Sequence, residues 1–176
     1  MPVKDQKIGR GNAVVMANAL FDLDEVIDAI RYWADREKFQ LFKVKSYIES
    51  RTSRGLRSRV KIHFKKDIDF YLRQEFDIEL NVKRGQKGRY SSPEGKIKTL
   101  TRGNFSAGID TKLVPDYDDN FTKKGESKKL IHNLFFELIY KPKFLRYKVQ
   151  TGIGTGKTMN VIKNKIKSYS EFKPTS

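Results

Sequence analysis

The stretch Val60–Val82, VKIHFKKDIDFYLRQEFDIELNV, keeps its aliphatic and phenylalanine residues on even positions. Val60, Ile62 and Phe64 are followed by Ile68, Phe70, Leu72, Phe76, Ile78, Leu80 and Val82, with mostly charged residues between them. A β-strand sends successive side chains to opposite faces, so strict alternation means extended chain with one buried face. One covered and one polar face is the habit of an antiparallel sheet. Residues 68–82 alone would make a strand of roughly 50 Å. That exceeds the usual strand and predicts curling, around a helix or onto a neighbouring subunit. Lys65, Lys66 and Asp67 interrupt the apolar series. A three-residue turn there would pair Phe64 with Ile68, and a bent continuous strand would also keep the parity. We adopt the turn, although no glycine marks it.

Outward from this stretch the chain alternates between elements. Ala13–Phe21 is an apolar run of strand length. Leu23, Val26, Ile27, Ile30 and Trp33 then recur at helical spacing, and Asp22 with Glu25 forms a capping pair ahead of them. Residues 39–50, FQLFKVKSYIES, have strand composition. Residues 95–114 predict a further strand or strand pair, with Arg102-Gly103-Asn104 as a bulge or turn. Residues 116–126 read as a loop. A helix follows, capped by Ser127, striped by Leu130, Ile131, Leu134, Phe135, Leu138 and Ile139, and ended by Pro142. Residues 142–150 fit strand or helix. A last helix carries Met159, Ile162, Ile166 and Tyr169 on one side. The expected fold is α+β: a curved antiparallel sheet of about five to six strands, one very long, packed by an N-terminal helix and C-terminal helices. Residues 1–12 are expected as a flexible polar arm, 13–172 as one domain and 173–176 as a tail.

Thr151–Thr158, TGIGTGKT, ends like a phosphate-binding loop. That motif needs a glycine where Thr151 stands, and a parallel sheet with a magnesium-binding Asp strand around it. Only 18 residues follow Thr158, and the preceding chain is patterned as antiparallel. Nucleotide hydrolysis is therefore not expected. The segment reads as a hinge before the last helix, with Gly152, Gly154, Gly156 and Lys157 able to form an anion-binding nest.

Charge is the other strong signal: 37 Lys and Arg against 21 Asp and Glu, net +16. Such an excess favours polyanionic partners, nucleic acid first and an anionic membrane surface second, with a merely basic protein as the bland alternative. The cations cluster. Arg51, Arg54, Arg57 and Arg59 occupy one expected loop; Lys83, Arg84, Lys87, Arg89 and Lys96 occupy another, with Tyr90 available for stacking on a base. Lys141, Lys143, Arg146 and Lys148 lie beside Phe144 and Tyr147. A hairpin turn at 65–67 would bring the first two clusters to one pole of the sheet; a continuous strand would separate them.

No cysteine is present, which excludes disulfides and thiol chemistry. No apolar run is long enough to span a bilayer, and a cytoplasmic location is the default. His63 and His132 stand apart as structural or surface residues, and no metal site or cofactor is expected. Asp116–Asn120 lacks the ligand spacing of a calcium loop. Asp77 and Glu79 face outward and are expected in cross-strand ion pairs. No nucleophile–base grouping supports an enzyme. The leading expectation is a non-catalytic nucleic-acid-associated protein, RNA ahead of DNA, in a ribonucleoprotein particle such as the ribosome. Two alternatives come from other classes. One is an assembly subunit of a filament, tube or virion, joined through the long strand or the N-terminal arm. The other is a helix-grip domain holding an apolar small molecule against Phe64, Phe70, Phe76, Phe105 and Phe135.

Overall fold

The computed structural model describes residues 6–115 and 126–175, with side chains over 14–115 and 130–175. The elements run β1 (Gln6–Phe21), α1 (Leu23–Arg36), β2 (Leu41–Thr52), β3 (Gly55–Asp67), β4 (Leu72–Ser91) and β5 (Ile97–Pro115). Then come α2 (Glu126–Phe135), a π-helical turn (Phe136–Tyr140), α3 (Lys141–Lys167) and the short β6 (Lys173–Pro174). The sheet is antiparallel in the order β1-β5-β4-β3-β2, and β6 pairs with β4. This is the expected α+β architecture. Residues 6–12, expected within an arm, begin β1 and pair with β5. The loop expected at 116–126, with Asp116–Asn120, lies almost wholly outside the described residues.

The even-numbered apolar residues of the opening stretch do share one face. Val60 stands opposite Leu80, Ile62 opposite Ile78 and Phe64 opposite Phe76, all buried. The Phe64 and Phe76 rings stack 5.1 Å apart. The hairpin is real, but its turn is at 68–71 rather than 65–67. Lys65, Lys66 and Asp67 stay in the ladder opposite Glu75, Gln74 and Arg73. Asp69 makes the turn instead: its Oδ1 accepts from the backbone N–H of Tyr71 and of Leu72, each at 2.9 Å. An Asx turn of this kind needs no glycine. Phe64 therefore does not pair with Ile68, and Phe70 is left 64% exposed on the turn.

The longest strand is β4, with 20 residues, and it starts four residues later than the pattern suggested. It lies between β3 and β5, so it offers no free edge along the stretch they cover. Residues 97–115 form one strand, and Gly103 lies within it unbulged. The extra residues sit in its neighbours, between Lys83 and Gln86 in β4 and between Met16 and Ala19 in β1.

Both long helices cover the same face. Leu23, Val26, Ile27, Ile30 and Trp33 of α1 join Ile162, Ile166 and Tyr169 in one core with the sheet. Asp22 caps α1 as expected, accepting from the N–H groups of Asp24 and Glu25. Glu25 does not complete the reciprocal box; it reaches Lys98 and Lys165 instead.

The C-terminal half departs most from expectation. Pro142 does not end the helix, and residues 126–167 run on as one helical rod through a π turn. A proline in an α-helix lacks an N–H and crowds the carbonyl four residues back. The wider turn relieves this: the Lys141 N–H donates to Phe136 O, five residues back. Ser127 lies inside α2, not at its cap. TGIGTGKT is helical throughout. Its residues Thr151, Thr155 and Thr158 are buried against the sheet, and Gly154 faces Phe76, where a Cβ would make an ordinary contact of 3.4 Å with Cζ.

Candidate nucleic-acid interface

The turn between β2 and β3, Ser53-Arg54, is built locally. The Thr52 hydroxyl donates to Gly55 O at 2.8 Å, and Gly55 adopts φ +107°, which suits glycine alone. Leu56 pairs with Gly85, so this tip stands beside the bulge of β4. Packing there is close: a Cβ on Gly55 would meet Gly85 O at 2.9 Å, and one on Gly103 would meet Gly85 Cα at 2.9 Å. Only glycines let the three strands touch at this level. Next to Gly85, Arg84 holds a left-handed φ of +56°, a conformation that costs a non-glycine residue about 1 kcal/mol or more. The bulge breaks the alternation of the strand here, so that Lys83 and Arg84 are both exposed.

The first two basic clusters thus share one end of the sheet. Neither is the expected loop, however: only Arg54 lies in the β2–β3 turn, Arg51 belongs to β2 and Arg57 and Arg59 to β3, and residues 83–91 continue β4. Arg51, Arg54, Arg57, Arg59, Arg84, Lys87 and Arg89 are all exposed. Two of them are partly neutralised. Arg59 grips Glu79 Oε1 with Nη2 at 2.8 Å and Nε at 3.0 Å, and Lys87 Nζ lies 3.1 Å from Glu49. Arg51, Arg54, Arg57, Arg84 and Arg89 have no carboxylate within ion-pair reach among the described residues. A small cleft lined by Asp22, Asp24 and Glu49 borders the cluster and gives it an acidic limit on the α1 side.

Tyr90 is not a stacking platform. Its ring belongs to the core, 8% exposed, and the Arg102 guanidinium lies 5.7 Å from its centroid. Arg102, exposed on β5 beside the bulge, is the cation that the sequence pattern did not single out. Tyr47 of β2, 46% exposed, lines the same small cleft as Lys87.

The remaining predicted residues lie elsewhere. The Tyr140 hydroxyl donates to Asp69 Oδ2 at 2.5 Å, which fixes the start of α3 at the β3–β4 turn, the far end of the sheet from Arg54. Lys143, Arg146 and Lys148 are at that end. Lys157 lies midway along α3, 3.9 Å from Glu37. The proposed nest at Gly152–Lys157 does not form, because helical amides there point along the rod to carbonyls one turn back.

The polar face of the sheet is laced as expected. Asp77 Oδ1 meets Lys45 Nζ at 3.1 Å and His63 Nδ1 at 2.9 Å. Burial opposes the Asp77 charge, but these two hydrogen bonds outweigh it and hold its carboxyl below the usual range. His132 is buried and bonds the Tyr71 hydroxyl. Both histidines are tied into structure. Beneath the helices, Phe64, Phe76 and Phe105 are packed core, Phe135 is half-buried and Phe70 is outside it. A cleft of about 570 Å³ opens between α1 and α3, walled by Trp33, Phe39, Phe76 and Tyr147.

Comparison with protein-family models, with curated proteins and with solved structures gives no match for this chain. Its fold and its distribution of charge are what bear on function.

Proposed function

We propose that the protein is a non-catalytic nucleic-acid-associated protein, RNA ahead of DNA, that grips phosphate with the sheet end formed by the β2–β3 tip and the β4 bulge. The observation that carries this reading is five exposed arginines, with no acid partner among the described residues, at the glycine-locked end of the sheet. Arginine presents a planar fork that matches two phosphate oxygens, and a rigid mount reduces the entropy lost on binding. A net charge of +16 raises the encounter rate with any polyanion. Base identity is not read under this proposal, which rests on phosphate contacts alone. A place within a ribonucleoprotein particle fits such phosphate-led binding.

Labelled RNA titrated at low and at moderate salt tests the reading. Affinity should fall at least tenfold between about 50 mM and 200 mM salt, because phosphate contacts release counterions. No binding at low salt, or binding indifferent to salt, would overturn it.

A further inference from the structure

The rod formed by α2 and α3 is apolar on two opposite faces. One face packs into the protein through Phe136, Tyr140, Phe144 and Ile162. The other carries Leu130, Leu134, Leu138, Leu145, Val149 and Ile153, each 52% to 76% exposed. They follow one another in steps of four or seven residues, the spacing of a single helical stripe. Ile131 and Ile139, 56% and 62% exposed, widen it. The stripe expected to be core from the sequence is thus largely the outward one. Eight aliphatic side chains more than half exposed make a patch on the order of 500 Å², at the upper end for a protein without a partner on that face.

The borders of the stripe are basic. Residues 130–157 contain Lys141, Lys143, Arg146, Lys148 and Lys157 against the single acid Glu137, which is already held by Lys141 at 2.6 Å. Lys143, Arg146 and Lys148 are exposed and have no acid partner among the described residues.

We propose that this face lies on an anionic bilayer surface, with the aliphatic stripe at the acyl boundary and the flanking cations among the headgroups. A second copy of the chain is the poorer occupant. A two-fold contact sets each stripe against its own image, bringing cations to cations with no free acid among residues 130–157 to meet them. An anionic bilayer supplies an apolar layer and negative charge along both borders, and Lys and Arg stems extend from one to the other. From Leu130 to Ile153 the stripe is roughly 35 Å long, enough for an interfacial helix. No helix among the described residues is long and apolar enough to cross a membrane, so the rod rests on the surface. This site is at the other end of the sheet from the arginine tip, and it stands or falls separately from the RNA reading.

Vesicle co-sedimentation of the full chain tests it, with phosphatidylcholine vesicles alone or mixed with phosphatidylglycerol. The wild type should bind the mixed vesicles at least tenfold more tightly than the neutral ones. Leu145→Asp with Val149→Asp should lose that binding at least tenfold, while retaining its thermal midpoint and its RNA affinity. Arg54→Ala with Arg57→Ala and Arg84→Ala should keep most of the vesicle binding. The proposal is overturned if the wild type ignores mixed vesicles, or if the Asp variant binds them as well as wild type. It is equally overturned if the arginine-tip variant is the one that loses them. A wild-type dimer in light scattering that the Asp variant abolishes would assign the stripe to a second copy instead.

Discussion

Lys165 Nζ lies 2.5 Å from Glu25 Oε2, joining the last helix to the first across 140 residues of chain. The same carboxylate accepts from the Tyr169 hydroxyl, and its other oxygen from Lys98 Nζ at 2.6 Å. Burial opposes the charge, but the hydrogen bonds from Lys165, Lys98 and Tyr169 outweigh it and take the Glu25 pKa from 4.5 to about 2. A carboxylate whose pKa is lowered by folding stabilises the fold above its unfolded pKa and loses that contribution as pH falls toward the folded one. Stability should therefore drop between about pH 4.5 and pH 2 by about 2 kcal/mol from this group, after allowing for its partial exposure. In Glu25→Gln that part of the drop should vanish, with lower stability at pH 7. Urea unfolding at several pH values reads both effects.

The helical state of TGIGTGKT makes a prediction opposite to that of a phosphate loop. Gly152 and Gly156 lie in the interior of α3, and a Cβ at either meets nothing within 4 Å. Glycine costs a helix interior about 0.5–1 kcal/mol relative to alanine. Gly152→Ala and Gly156→Ala should each raise stability by about that amount, measured as the urea midpoint. A loss of stability would mean that the segment needs glycine backbone freedom.

Asp69 ties the β3–β4 turn to the helical rod, accepting from two backbone N–H groups and from the Tyr140 hydroxyl. Asp69→Ala removes all these acceptors at once and should destabilise the protein by about 1–3 kcal/mol. Asp69→Asn keeps an acceptor for the turn and should cost less. Wild-type midpoints for both variants would show that the turn does not depend on this side chain.

Legibility followed the chemistry that each element depends on. The alternation from Val60 to Val82 was readable because hydrophobic burial alone sets the face, and a shift of the turn by a few residues left the parity intact. Asp22 was readable as a cap because capping is local. The turn itself is not legible, since two lysines and an aspartate have a more turn-like composition than an Ile-Asp-Phe-Tyr sequence whose Asp69 side chain caps the turn. The rod from 126 to 167 was hidden for a different reason. Pro142 and three glycines are poor helix residues, and between Phe144 and Ile162 the buried side is threonine, which carries no hydrophobic signal. Thr155 and Thr158 satisfy their hydroxyls on the carbonyls of Thr151 and Gly154, so polar residues can line the sheet without penalty. The basic clusters were visible as composition, but only strand pairing could show that Arg54 and Arg84 are neighbours while Arg146 is at the other end.

That division between the two ends of the sheet is directly open to measurement. The slope of log affinity against log salt counts phosphate contacts, about 0.7 per contact for single strands. Labelled single-stranded RNA should be titrated over a salt series with wild type, with Arg54→Ala/Arg57→Ala/Arg84→Ala, and with Lys143→Ala/Arg146→Ala/Lys148→Ala. The first variant should lower the slope by about 2, and the second should leave it unchanged. Equal slopes for wild type and the arginine-tip variant, or a loss confined to the α3 variant, would contradict this division.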